Sequence, residues 1–587
     1  MKKQTDKQLN YPVRSALVAF GFAAFAVLLA YRIVDLHVLR KDFLQDEGDA
    51  RSIRVVETVA HRGMILDRNG EPLAISTPVD SVWANPQKLV TTRDRWPALA
   101  HALGMKTNQL EQILAGKANR EFVYLKRQIH PDRAQQILSM HLPGVSLRRE
   151  YRRYYPAGEV CGHLLGFTNI DDVGQEGVEL EYQDWLQGKN GSKRVLKDLY
   201  GQTIEDIESI KVAEPGKDLY LSIDRRLQYL AYRELKAAVQ KHNARSGSAV
   251  LLDVNTGEVL AIVNQPSFNP NNRRGLTGNR YRNRAVTDVF EPGSTIKPFT
   301  VAAALKSGLF TPDSMIETGP GTMKIGHNLV RDTHNHGTID VRRVIQKSSN
   351  IGASKLALAI PPEAFWQVLN DAGFGNITDS GLPGESSGIL TLPRHWREFE
   401  RATLSFGYGL STTTLQLAQA YSIFATNGKL RKVTFQRTSA ADVPPAKRII
   451  PAKIAREVRN MLEMAVHPGG TGMRAQIQGY RVAGKTGTVH VSTQGGYEEN
   501  GYDSVFAGFA PASHPRLVMV VMIKEPRDGE YYGGVVAAPV FARVMAGALR
   551  LMNIPPDDLN SLKPRMAELE KQHRLLATLD DPVGGDL

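Results

Sequence analysis

Glu291-Pro292-Gly293-Ser294-Thr295-Ile296-Lys297-Pro298 opens an apolar helical stretch that continues from Thr295 to Ser307. Pro292-Gly293 is a turn signal and Ser294 begins the helix. A serine and a lysine three residues apart share one helix face. A serine hydroxyl is a poor nucleophile until a base takes its proton. A lysine amine serves as that base only when desolvation or nearby positive charge lowers its pKa. Peptide N–H groups at a helix start favour negative charge that develops there. An isolated Ser-x-x-Lys arises by chance in a chain of 587 residues and reads as an ordinary helix start.

Two further elements lie downstream. Ser348-Ser349-Asn350 follows Ser294 by 54 residues, at the start of another helical run, Val341–Ala359. A hydroxyl and an amide two residues apart can relay a proton and hold a substrate amide, although a lone Ser-x-Asn is usually a cap. Ala483-Gly484-Lys485-Thr486-Gly487-Thr488 follows Asn350 and sits on a predicted strand, Tyr480–Thr488. Lysine and threonine there suit a carboxylate, and glycine leaves room for a substrate backbone. Alone, this stretch reads as a glycine-punctuated edge strand.

The surrounding periodicity gives the fold class. Asp224 is a candidate N-cap for a helix reaching Val239. Ser248–Asp253 and Glu258–Asn264 read as strands joined by an Asn255-Thr256-Gly257 turn. A helix at Thr413–Ala425 follows, and Ser504–Ala510 and Leu517–Ile523 close the segment as strands. Strands at both ends with helices between predict an α+β domain whose sheet draws on both ends of the segment. Upstream, Asn69-Gly70 marks a hairpin, and Trp96–Leu114 and Pro131–Leu142 have helical periodicity. The expected organisation is a cytoplasmic segment 1–14, a transmembrane anchor 15–34 and a mixed domain 41–220. A main domain 221–555 and a polar tail 556–587 with one short helix, Met566–Leu576, complete it.

Ser-x-x-Lys, Ser-x-Asn and Lys-Thr-Gly, in that order and on helix, helix and strand, resemble the motif set of the penicillin-binding proteins and serine β-lactamases. The resemblance reaches further. Arg62-Gly63 through Asn69-Gly70, Arg153-Tyr154-Tyr155-Pro156 with Gly162-His163, and Gly174-Gln175-Glu176-Gly177-Val178-Glu179 are similar to the elongated pedestal domain of class B penicillin-binding proteins. Gly407-Tyr408-Gly409 and Gly470-Thr471-Gly472 look like landmarks of the transpeptidase domain. The single anchor and length resemble the division-specific class B members.

That resemblance implies a peptidoglycan D,D-transpeptidase in septal wall synthesis, a target of β-lactams. It implies Ser294 as acylated nucleophile, with Lys297 as general base or as part of a relay with Ser348. Asn350 would position the peptide amide. Lys485, Thr486 and Thr488 would hold the terminal carboxylate, with Gly487 clearing the strand. The backbone N–H groups of Ser294 and Thr488 would form the oxyanion hole. No cofactor is implied. The implied partners are stem peptides, the glycan polymerase FtsW and the division proteins FtsQ, FtsL, FtsB and FtsN. An elongation-type paralogue, a β-lactam-hydrolysing or sensing relative, and a division scaffold are the alternatives. Glu385, in Pro383-Gly384-Glu385, resembles a family landmark and is not read as a deacylation base.

The remaining features narrow the setting. Lys2, Lys3, Lys7 and Arg14 precede the apolar run Ala16–Tyr31, extended by Ile33 and Val34. A positive flank on that side places the N-terminus in the cytoplasm and the rest beyond one membrane; the resemblance implies the bacterial inner membrane and a periplasmic catalytic domain. Ala24-Phe25-Ala26 lies inside the run, which disfavours a cleaved signal. The net charge of +13 favours anionic partners without choosing among them. The alternation of Arg148, Arg149, Arg152 and Arg153 with Tyr151, Tyr154 and Tyr155 reads as a paired or solvated strand face, not a nucleic-acid site. His334 and His336 read as a polar loop, not a metal site. Cys161, the single cysteine, excludes an intramolecular disulfide and reads as a buried small hydrophobe.

Overall fold

The computed structural model describes residues 11–197, 203–275, 278–493 and 496–562. Its contacts form two compact units, each assembled from separate stretches of chain. One comprises Met1–His61, Pro78–Arg152 and Gly188–Gly216; the other comprises Arg62–Thr77, Arg153–Gln187 and Lys217–Leu587.

The first unit begins with the helix Tyr11–Val34. At about 1.5 Å per residue its 24 residues exceed a hydrocarbon layer of about 30 Å. Within the apolar helical stretch Pro12–Leu39, the most apolar 18-residue window has no buried residue. Further along, Trp96, Leu99, Ala100 and Leu103 follow the 3.6-residue period and enter a small core with Leu110, Leu125 and Ile137. The single helix expected over Trp96–Leu114 is in fact two, Trp96–Leu103 and Thr107–Leu114. Gly104 divides them: it takes φ +65°, and its N–H returns to the His101 carbonyl as a C-terminal cap. Another helix ends at Leu138, short of the expected Leu142. On the strand Val145–Tyr154, Arg148 pairs with Glu57 at 2.9 Å and Arg149 with Asp80 at 2.7 Å. The basic stretch is therefore a paired strand face.

In the second unit the main elements are α1 (Arg225–Lys241), β1 (Ser246–Asp253), β2 (Val259–Gln265), α2 (Lys297–Lys306) and α3 (Asn350–Ala359). They continue with α4 (Thr414–Ala425), β3 (Ala483–Thr493), β4 (Gly496–Ala510), β5 (Leu517–Lys524) and α5 (Ala538–Leu551). The sheet order is β2-β1-β5-β4-β3 and every neighbouring pair is antiparallel. Strands from both ends of the segment thus meet in one sheet, with Ala249 of β1 between Val263 and Val521. Successive side chains point to opposite faces. Ala249, Leu251, Val521 and Ile523 pack against Leu227 and Leu235 of α1 and Phe541 and Met545 of α5. Val250, Leu252, Val518 and Val520 face the other way, into a core shared with Phe299 and Ala302 of α2 and Leu417 of α4. Both faces are covered, so these strands read as continuous apolar runs. Gly533–Leu551 is also long and apolar enough to span a membrane, but more than half of it is buried in this core.

The early segments of this unit join the same core through Ile65, Leu73, Leu165 and Val178. The Asn69-Gly70 turn closes a short antiparallel pairing, Ile65 opposite Ala74, with Gly70 at φ +88°. Three charged residues are buried together nearby. Glu179 accepts from Arg62 at 2.8 Å and from Arg153 at 2.6 Å, while Arg62 also donates to Gln183 and the Asp172 carbonyl. Buried charges persist only when paired in this way. Cys161 is buried, and burial pushes its thiol pKa up to about 12. The first residues of the expected tail are docked: Asp557 accepts from the Arg481 N–H at 2.7 Å and the Ser513 hydroxyl at 2.6 Å. The helix expected at Met566–Leu576 lies outside the described residues.

Candidate active site

Ser294 sits in a short 3₁₀ turn, Gly293–Ile296, that feeds α2, so the expected helix from Thr295 begins one tight turn earlier. Gly293 takes φ +55°, and a Cβ there would lie 2.4 Å from Val489 Cγ2. Only glycine satisfies both the left-handed conformation and the close approach of β3. Below the turn, the Tyr421 hydroxyl of α4 donates to the Thr295 carbonyl at 2.7 Å, fixing the serine from the core side.

Lys297 has no solvent exposure. Its Nζ lies 3.0 Å from Ser294 Oγ, 3.1 Å from Ser348 Oγ, 2.7 Å from Asn350 Oδ1 and 2.5 Å from the Ser348 carbonyl. Ser348 Oγ is in turn 3.0 Å from Ser294 Oγ. Burial pushes the Lys297 pKa well down, the Lys485 charge pushes it further, and Asp332 opposes both. The amine thereby tends toward its neutral form, with two hydrogens and one lone pair.

The helix expected over Val341–Ala359 is interrupted, giving Val341–Gln346 and α3. Ser348, in the break, takes φ +60°. That left-handed conformation presents both its carbonyl and its hydroxyl to Lys297. Asp332 holds the start of α3: it accepts from the Ser349 hydroxyl at 2.6 Å and from the N–H groups of Asn350 and Ile351 at 2.5 and 3.1 Å. Asp332 belongs to the loop that carries His334 and His336. Their ring centroids are 6.2 Å apart, and among the described residues no three acidic, histidine or cysteine groups cluster as metal ligands.

A cleft of about 740 Å³ is lined by Ser294, Ser348, Asn350, Thr486 and Thr488, among others. Lys485 is fully buried behind it and reaches Thr471 Oγ1 at 3.4 Å, with Thr486 Oγ1 and carbonyl at 3.3 and 3.2 Å. No carboxylate is among those partners, and burial pulls its pKa down to about 7. Gly487 backs onto the Ser294 turn, where a Cβ would sit 2.8 Å from the Pro292 carbonyl. Thr488 Oγ1 accepts from the Gly533 N–H at 3.0 Å. Glu385 accepts from the N–H groups of Thr378 and Ser380 at 2.7 and 3.1 Å, closing a turn.

The sequence motifs contain neither Asp332 nor the aromatic wall of the cleft. Tyr502 stacks on Tyr531 with ring centroids 4.0 Å apart, and Tyr532 lies tilted against Tyr531 at 4.6 Å. The visible signal was the Tyr531-Tyr532 pair in a polar loop, which no periodicity explains.

A family model for the penicillin-binding protein transpeptidase domain matches residues 247–546, and one for the penicillin-binding protein dimerisation domain matches 57–221. The peptidoglycan D,D-transpeptidase FtsI of Escherichia coli is 47% identical over 95% of each chain. The chain belongs to the class B penicillin-binding proteins. Among solved members, the transpeptidase domain of Burkholderia pseudomallei penicillin-binding protein 3 is 44% identical, with TM-score 0.54, over 57% of this chain and 97% of that one. Mycobacterium tuberculosis penicillin-binding protein 3, complexed with aztreonam, is 27% identical, with TM-score 0.66, over 85% of this chain and 98% of that one. Ser294 in the turn before α2, Ser348 in the break before α3 and Lys485 on β3 are the three motif positions of this site.

Proposed function

We infer that this chain is a peptidoglycan D,D-transpeptidase that cross-links stem peptides through an acyl-enzyme on Ser294. The observation that carries this reading is the contact set of Lys297. The Ser348 carbonyl and Asn350 Oδ1 are pure acceptors and take both hydrogens of a neutral amine. The lone pair is left for a hydroxyl, with Ser294 Oγ 3.0 Å away.

Ser294 Oγ attacks the carbonyl carbon of the D-Ala–D-Ala bond as Lys297 takes its proton. The new C–O bond forms, the C–N bond breaks, and the departing D-Ala amine receives a proton through Ser348 Oγ. The amine of a second stem peptide then attacks the ester carbonyl, a C–N bond forms as the C–O bond to Ser294 breaks, and a proton from that amine returns to Ser294 Oγ through Lys297. The backbone N–H groups of Ser294 and Thr488 would stabilise the oxyanion. Asn350 would hold the donor amide. Lys485, Thr486 and Thr488 would receive the terminal carboxylate, with Gly487 giving clearance. A β-lactam replaces the donor and leaves its acyl group on Ser294, in keeping with the aztreonam complex of the mycobacterial relative.

The helix Tyr11–Val34 would be the single inner-membrane anchor, with its basic flank cytoplasmic and the catalytic domain periplasmic. Septal duty, with FtsW polymerising glycan and FtsQ, FtsL, FtsB and FtsN as division partners, rests on the resemblance to FtsI. Labelling membranes with a fluorescent penicillin tests the chemistry. The expected result is a band in wild type and none in a folded Ser294→Ala protein. Equal labelling of both would overturn the assignment.

A further inference from the structure

A second cavity, of about 430 Å³, lies in the transpeptidase unit, and Ser294 is not among the residues that line it. Its apolar floor includes Val254, Ala425 and Pro515, and its cations are Lys429, Arg431, Arg459 and Arg516. No acidic residue lines it. Arg516 is matched by Asp253 at 3.3 Å. The other three have no carboxylate partner among the described residues. Arg431 donates to the Pro444 carbonyl, and Arg459 to the Asn427 side-chain oxygen and the Ala512 carbonyl.

Arg459 is the deciding residue. It is 8% exposed, and its Nε is buried with no hydrogen-bond partner. A buried guanidinium lacking an anion is costly to hold. Arg456 adds like charge near it, while Arg481 and Glu463 pair with each other at 2.6 Å. The carbonyl end of α4 attracts these cations, yet a helix terminus carries only about half an elementary charge. That leaves more than two positive charges unbalanced around a concave, partly apolar site.

We propose that this cavity binds a phosphate-bearing anion, either free or carried as a lipid headgroup, held by the charges of Lys429, Arg431 and Arg459, which have no carboxylate partner among the described residues. Guanidinium groups suit tetrahedral oxyanions through paired, charge-assisted hydrogen bonds. The apolar floor takes the organic part of an ester. Lys429 is exposed and, among the described residues, without a side-chain partner, so it closes the mouth of the site.

The test uses the full chain in detergent at low salt. Inorganic pyrophosphate and short-chain phosphatidic acid are the probes, with succinate as a carboxylate control, and binding is read by calorimetry. Both phosphates bind wild type, and Lys429→Ala/Arg431→Ala weakens binding at least about tenfold, the scale of one lost charge-assisted contact. Penicillin labelling of Ser294 stays unchanged, which certifies the fold and keeps this outcome separate from that of the proposed activity. Tighter phosphatidic acid binding assigns a lipid source, and tighter pyrophosphate binding a free one. Equal affinity for succinate, absent phosphate binding, or binding indifferent to the two substitutions would overturn the proposal.

Discussion

Ser348 holds a left-handed conformation that costs an L-residue about 1–3 kcal/mol. The surrounding contacts impose it, and the strain sets two acceptors against Lys297. Lys297 and Lys485 then divide the protonation states between them. Both are buried, but only Lys297 also has a second lysine charge and an aspartate acting on it. The Lys485 ammonium that would meet a carboxylate is present below its pKa of about 7 and is lost as pH rises through it. The second-order rate of β-lactam acylation reports free-enzyme groups. It is expected to fall on the alkaline side through about pH 7 in wild type. In Lys485→Arg, whose charge persists above pH 12, that alkaline limb should vanish even if the overall rate drops. An unchanged limb would remove Lys485 from the carboxylate role. Lys297→Ala should lower the acylation rate by about 10²–10⁴, the range of a general base, with thermal unfolding still cooperative.

At the scale of elements, the break before α3 decides the site. Lys347, Ser348 and Ser349 have ordinary helix propensities, so periodicity ran one helix through them. What ends the first helix and starts the second is Asp332, brought by a separate loop to accept three hydrogen bonds at the new N-terminus. Replacing such a cap costs about 0.5–2 kcal/mol. Asp332→Ala is therefore expected to lower the urea midpoint by that order. It should slow acylation by more than it destabilises, because Ser348 and Asn350 lose their placement. Stability loss with normal acylation of the folded fraction would make Asp332 purely structural. The other misjudged helix had a legible stop: Gly104 stands inside the Trp96–Leu114 pattern, and its left-handed φ is a glycine property.

On the scale of the whole molecule, segments far apart in sequence share one core. Arg62, Arg153 and Glu179 come from two stretches upstream of the transpeptidase sheet and meet within the same compact unit. Glu179→Ala would strand two buried guanidinium groups, and breaking a buried pair costs about 3–5 kcal/mol. A steep drop in the thermal midpoint is expected. A shift within the error of wild type would mean that the cluster relaxes into water. The sequence alone determined the Ser294 turn, the sheet strands and the order of the three motifs, because local periodicity and residue chemistry are written along the chain. It also marked Arg62, Arg153 and Glu179 as landmarks without giving them a common purpose. Only the tertiary structure decided that they form one ion cluster, that Ser348 is strained, that Asp332 holds the start of α3, and that three tyrosines wall the cleft. Those facts depend on burial and on contacts between residues distant in sequence, which no local pattern encodes.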